Sequence, residues 1–314
     1  MDTKNIKYAT ILALSTAIIS GTNNFLTKIA VTAVNNPIAY TAIKNSIVGL
    51  LFIGLLIIAG KWSEVKKINS AQWLKLLAIG FVGGFIPFAL FFTGLAKIPA
   101  INASLIHKTL FLWVFVLAIP FLKEKMSWPQ WIGIVLIFAA NLVVGGFQGF
   151  KYNSGELMIL GATILWAVEN VIAKVALKEL SSLIVSAARM VIGSFLLIIL
   201  MTWQGNVGLV SNLDARQWTW TLITSVLLFG YVLTWYSALK RAPATYVATL
   251  LVPATLVTNL LTAVFLTRSL STQNVTSGLL YVFGAAIVIF FAFRVSRKGV
   301  VSKKQPLAFP GLQN

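Results

Sequence analysis

Apolar residues come in blocks of about twenty, divided by short polar turns, almost from one end of the chain to the other. A helix rising about 1.5 Å per residue needs about 20 mainly apolar residues to cross the ~30 Å hydrocarbon layer of a bilayer. Ten blocks meet that length, at roughly 8–30, 38–60, 73–95, 99–121, 128–147, 155–177, 182–203, 218–239, 243–266 and 274–293. In hydrocarbon only helices or closed barrels satisfy the backbone, and blocks this long predict helices. The pattern therefore predicts an all-α membrane protein of ten transmembrane helices, with no room in its loops for a soluble domain. Lys4 and Lys7 precede the first block as in a signal peptide, but no convincing cleavage site follows, so a retained span is expected.

The pattern is also written twice. At an offset of 144, Lys97-Ile98-Pro99-Ala100 falls on Arg241-Ala242-Pro243-Ala244, and Leu122 and Ser127 fall on Leu266 and Ser271. At nearly the same spacing Gln72-Trp73 matches Gln217-Trp218, Lys44 matches Arg189, and Asn24 and Lys28 match Asn170 and Lys174. A polar seam at 147–154 divides the chain into repeats at 1–150 and 151–298, followed by a tail at 299–314. Each repeat has five spans. Five is odd, so the second repeat starts on the opposite side of the membrane and the two must be inverted. Many membrane carriers are built this way, with the substrate site near mid-bilayer where the halves meet.

Composition and charge sharpen the reading. The chain is 58% hydrophobic and only 10% charged, where soluble domains carry about 25% charged residues. A net charge of +18 raises the question of nucleic acid, and the distribution answers it. Sixteen of the 25 Lys and Arg lie in the termini and even-numbered loops, four in the odd loops and five within spans. That is the positive-inside bias, which predicts cytoplasmic termini in a multi-pass protein of the inner (plasma) membrane. The bilayer, and no nucleic acid, is the expected partner of the basic surplus. Trp62, Trp73, Trp128, Trp203 and Trp218 fall at span boundaries, as an interfacial belt requires.

Buried ionisable groups are costly in a bilayer and mark function by default. Glu169 is the one carboxylate deep inside a span, and His107, the sole histidine, lies deep in another beside Lys108. A partner for Glu169 is expected from another helix, with Lys108, His107 or Arg189 as candidates. Three readings stay open: a structural ion pair between repeats, a proton site at Glu169 or His107, or capture of a zwitterion between Glu169 and Lys108. Lys28, Lys44, Lys174 and Arg189 lie nearer the boundaries, where long side chains can snorkel to headgroups. Asn24, Asn102, Trp113, Trp166, Asn170, Trp235, Tyr236 and Tyr246 lie within or near spans as candidate cavity lining. In the third span Gly80 and Gly84 form a small-xxx-small pair below Pro87. Gly84 and Pro87 serve there either as packing or as a flexible gate. With no cysteine and one histidine, no zinc site is expected. Nothing predicts a cofactor or an enzyme's nucleophile.

Taken together, Ser20-Gly21-Thr22-Asn23-Asn24-Phe25 with Lys28, Leu165-Trp166-Ala167 with Lys174, the cations Lys44 and Arg189, and Leu122-Lys123-Glu124-Lys125 resemble the drug/metabolite transporter superfamily. The resemblance is to its EamA-type ten-span carriers and covers residues 8–294. It implies inverted repeats around a central cavity and export of amino acids, related metabolites or toxic compounds. Three features depart from it: Arg268 where an acid is usual, Lys44 where arginine is common, and the run His107-Lys108-Thr109. The expected function is export of small amphipathic metabolites, amino acids first, by alternating access in a monomer, with proton coupling left open. A carrier of organic or phosphorylated anions and a membrane lipid enzyme or flippase are the alternatives.

Overall fold

The computed structural model describes residues 3–98, 100–143, 151–269 and 272–304, and every regular element among them is helical. Nine segments are long and apolar enough to cross a membrane, and a tenth apolar helix, Trp128–Val143, runs up to residues 144–150. Those residues, Pro99 and the tail from 305 lie outside the described part, as do the side chains of Lys28, Leu266 and Thr267. The first and last spans outrun their apolar blocks, at Thr3–Val34 and Thr272–Lys304. Hydropathy marks where hydrocarbon ends, whereas a helix can continue into water. The 33 residues of the last helix rise about 50 Å, well beyond a ~30 Å core.

The repeated Gln-Trp pair has a local cause. The third span starts at Ser70 behind Asn69, and the eighth runs Ala215–Arg241 behind Asp214; each cap residue forms a capping box with the glutamine three positions on, Gln72 or Gln217. Both glutamines also reach across to the other half. The Gln72 side-chain amide donates to Glu179 at 3.3 Å, and that of Gln217 donates to the Ala33 carbonyl at 2.8 Å.

The main buried core draws residues from both halves. The first span packs on the eighth, the second (Pro37–Ile58) on the seventh (Ser182–Trp203), and the third on the sixth (Ser154–Ala176). The fourth lies chiefly on the sixth and also meets the ninth, the ninth lies chiefly on the first, and the fifth (Trp128–Val143) packs on the tenth. Glycines let backbones meet at several of the crossings between halves. A Cβ on Gly133 would stand 2.7 Å from the Gly284 carbonyl, and one on Gly84 2.2 Å from the Arg189 carbonyl.

Three spans are interrupted. The fourth breaks between Ala100–Lys108 and Leu110–Leu122, at Thr109. The ninth breaks between Ala244–Leu251 and Ala254–Thr262, at Val252-Pro253. The 144 offset places Thr109 on Pro253, so the two breaks are repeat equivalents with different chemistry. Proline withholds an amide from the helix. Thr109 instead turns its hydroxyl back to the Ile106 carbonyl at 2.6 Å, a bond that competes with the helical ladder. The third span is widened to a π-helix over Gly80–Phe85, just before Pro87.

Candidate functional site

Pro87 has no amide hydrogen, so the carbonyl four residues back, that of Gly83, loses its helical donor. An orphaned carbonyl in a dry interior must find another partner. It finds two, both from the other half: Trp166 Nε1 at 3.0 Å and Arg189 Nε at 3.3 Å. Glycine is required at 83, because a Cβ there would stand 2.2 Å from Cγ of Glu169. The glycines and Pro87 of the third span thus bring a bare backbone acceptor against the polar face of the sixth.

That face carries Trp166, Glu169 and Asn170, spaced i, i+3, i+4. Glu169, 1% exposed, accepts a hydrogen bond from the Tyr236 hydroxyl. Arg189, 5% exposed, acts on Glu169 through its charge, without an ion pair inside 4 Å among the described residues. Its guanidinium lies 5.8 Å from the ring centroids of both Phe88 and Tyr236; a desolvated cation–π contact contributes about 2 kcal/mol. Trp235 Nε1 donates to Asn170 Oδ1 at 3.0 Å, and Asn170 donates to the Trp166 carbonyl at 2.9 Å. Of the three candidate partners for Glu169, the structure therefore selects Arg189 as charged neighbour, with Tyr236 as hydrogen-bond donor.

His107 and Lys108 stand at the break in the fourth span. The imidazole packs edge-on against Trp166 at 4.9 Å and Phe91 at 5.3 Å. Its Nδ1 is buried without a hydrogen-bond partner. Lys108, 6% exposed, lines a cavity of about 10 Å³ where the two broken spans face each other, with His107 and Phe111 opposite Ala248, Leu251 and Val252. That is room for about one water. Phe91 and Trp166 pack against the His107 ring beside it.

In the first half, Lys44 is buried at 2% exposure, its ammonium 4.8 Å from the Tyr40 ring centroid and 5.0 Å from that of Phe92. Snorkelling therefore describes neither Lys44 nor Arg189; both heads stay inside. Lys174 bonds the carbonyls of Leu239 and Ala242 at the end of the eighth span, a role suited to a cation at a helix C-terminus.

Several expected site residues lie elsewhere. Asn24 is exposed. Asn102 donates to Glu156 at 2.8 Å, and that carboxylate also gathers the amides of Lys151 and Tyr152. Trp113 Nε1 bonds the Thr109 hydroxyl at 3.2 Å, and Tyr246 shares a 2.8 Å bond with Thr10. Gly84 is a helix contact point against Gly193 and Arg189. Lys28 lies outside the described side chains. Gly83, Phe88 and Phe91 were not expected; the readable signal for Gly83 is its place four residues before Pro87.

Comparison with known proteins extends this picture over both halves. The EamA-like transporter family matches residues 7–146 and again residues 153–290. The chain belongs to the EamA-like transporter family. Among its relatives is an uncharacterized transporter of Methanothermobacter thermautotrophicus, 25% identical over 236 residues, which cover 73% of this chain and 68% of that one. The uncharacterized transporter YvbV of Bacillus subtilis is 28% identical over 290 residues, covering 88% and 90%. The uncharacterized inner membrane transporter YhbE of Escherichia coli is 27% identical over 180 residues, covering 55% and 56%. A crystal structure 18% identical to the chain superposes with a TM-score of 0.73, covering 91% of this chain and 98% of that one. It shares the fold. This EamA-like protein is thus a multi-pass membrane transporter with a duplicated ten-span architecture.

Proposed function

We propose that this EamA-like protein exports small metabolites bearing a carboxylate, amino acids among them, by alternating access. One observation carries the reading: Lys108, a buried cation, lines the void where the broken fourth and ninth spans face each other. Discontinuous helices at a repeat interface are where carriers of inverted design hold their cargo. Among the described residues no acid pairs with Lys108, so the charge is free for a ligand's carboxylate. Glu169 is engaged by Tyr236 and Arg189, which supports recognition of the acidic end of the cargo over its ammonium end. That puts organic acids beside amino acids as cargo.

In this reading the halves are inverted, with the boundary between them in the stretch 147–154, and the protein works as a monomer. Both termini and the basic loops face the cytoplasm, and no enzymatic step is involved. A void the size of one water admits no metabolite, so cargo enters when the crossing opens to one side. A charge-assisted hydrogen bond contributes about 1.5–3 kcal/mol, or about 10–100-fold in affinity. Purified protein in liposomes, screened by counterflow over amino acids, organic acids and uncharged analogues, should carry carboxylates. Lys108→Gln should weaken their uptake by about that factor. Unchanged uptake in the variant, or a preference for uncharged compounds, would overturn the reading.

A further inference from the structure

The two halves place a cation at matched positions, Lys44 and Arg189, each over a ring from a matched position of the third or eighth span, Phe92 or Tyr236. In the second half the charge of Arg189 is met by Glu169. By the match of Asn24 with Asn170 and Lys28 with Lys174, the first-half counterpart of Glu169 is Asn23, which carries no charge. The counterpart of the Tyr236 hydroxyl is also missing, since Phe92 stands there. Lys44 is nonetheless buried, with no hydrogen bond or ion pair among the described residues, its head held only over the two rings. A buried ammonium is costly unless an anion meets it.

We propose that Lys44, Asn23, Thr27 and Tyr40 form a second anion site, for a carboxylate or halide, in the position that Glu169 fills in the other half. The pieces are contiguous. Asn23 Oδ1 accepts from Thr27 at 3.4 Å, and Thr27 lies beside the Tyr40 hydroxyl, which pairs with Thr224 at 2.8 Å. The Tyr40 ring lies under the Lys44 ammonium. Asn23, with an amide N–H₂ to donate, suits a bound anion where a fixed glutamate would repel it. The protein's own carboxylate thus serves as internal template for a ligand carried in from outside. The site does not depend on Lys108.

The test is thermal unfolding of the purified full-length protein in detergent. It is titrated with sodium acetate or sodium chloride, with ionic strength held constant by the bulky sulfonate MES. Wild type should show a saturable rise in Tm of about 5 °C at a hundredfold excess over Kd. The rise should vanish in Lys44→Gln and persist in Lys108→Gln. Asn23→Glu supplies the missing carboxylate internally, so its Tm should ignore both salts; this variant keeps the test decisive if Lys44→Gln fails to fold. A response to acetate alone assigns the site to the cargo's carboxylate, and a response to chloride assigns it to a co-bound inorganic ion. A response that survives both Lys44→Gln and Asn23→Glu, or that only Lys108→Gln removes, overturns the second site. Loss of carboxylate flux in Lys108→Gln is read separately and bears only on the first.

Discussion

Lys44 and Arg189 descend from one position in a duplicated design, yet their surroundings have diverged. Arg189 sits in a closed circuit: its Nε reaches the Gly83 carbonyl, its charge faces Glu169, and its plane lies over Phe88 and Tyr236. Lys44 has two aromatic rings and no acid. The difference teaches that symmetry of fold need not mean symmetry of task. One copy has become a fastening between halves, while the other keeps an unspent charge.

The largest expected effect separates these roles. Removing one member of a buried charged set leaves its partner uncompensated and costs about 3–5 kcal/mol, whereas replacing an unpaired buried charge by an apolar group removes a desolvation cost that nothing offsets. Arg189→Leu should therefore lower thermal stability sharply, and Lys44→Leu should leave it level or raise it. Equal losses in the two variants, by thermal unfolding in detergent without added anions, would break the comparison. Next in size is Tyr236→Phe, which gives the second half the ring already present at Phe92. A hydrogen bond to a charged group contributes about 1.5–3 kcal/mol, and that loss should appear in unfolding while Phe92→Tyr stays within about 1 kcal/mol. A Tyr236→Phe protein as stable as wild type would leave Glu169 without the partner assigned to it.

The smallest effect lies at the helix ends. Gln72 bonds a carboxylate, Glu179, which Lys75 also meets at 2.7 Å; Gln217 bonds only a neutral carbonyl. The Lys75 ammonium and the Gln72 amide hold the Glu179 carboxyl below the usual carboxylate range. A group whose folded value is depressed adds stability above its unfolded value, about pH 4, and that stability is lost as pH falls through the folded value. The small Tm difference between wild type and Glu179→Gln should thus be present at pH 7 and gone near pH 3. High salt should shrink it too, since the pair is partly exposed. A gap that persists at pH 3 would mean that packing, not charge, joins these loops.

Much of this was written plainly in the chain. Block length gives the spans because hydrocarbon imposes a minimum on any helix that crosses it, and the Gln-Trp and Lys/Arg matches expose the duplication. The charged residues deep in spans could be named because hydrocarbon makes them rare. Their partners could not. Tyr236 meets Glu169 across 67 positions of sequence, and nothing local distinguishes that tyrosine from Tyr246, which ends up on Thr10. Asn24 matches Asn170 in the repeat, yet Asn24 is exposed and Asn170 buried, although their helices pack on equivalent neighbours. The break at Pro253 is visible in sequence, and its counterpart at Thr109 is not, since most threonines within spans leave their helix intact.

Pro87 has a consequence beyond the bond it withholds. The Gly83 oxygen is vacant by covalent structure, so neither acidity nor ionic strength can abolish its need for a donor. If the third span parts from both the sixth and the seventh, that oxygen must be greeted by something else, and water arriving from one side is the natural stand-in. Wetting of this single atom would then report which way the carrier has opened.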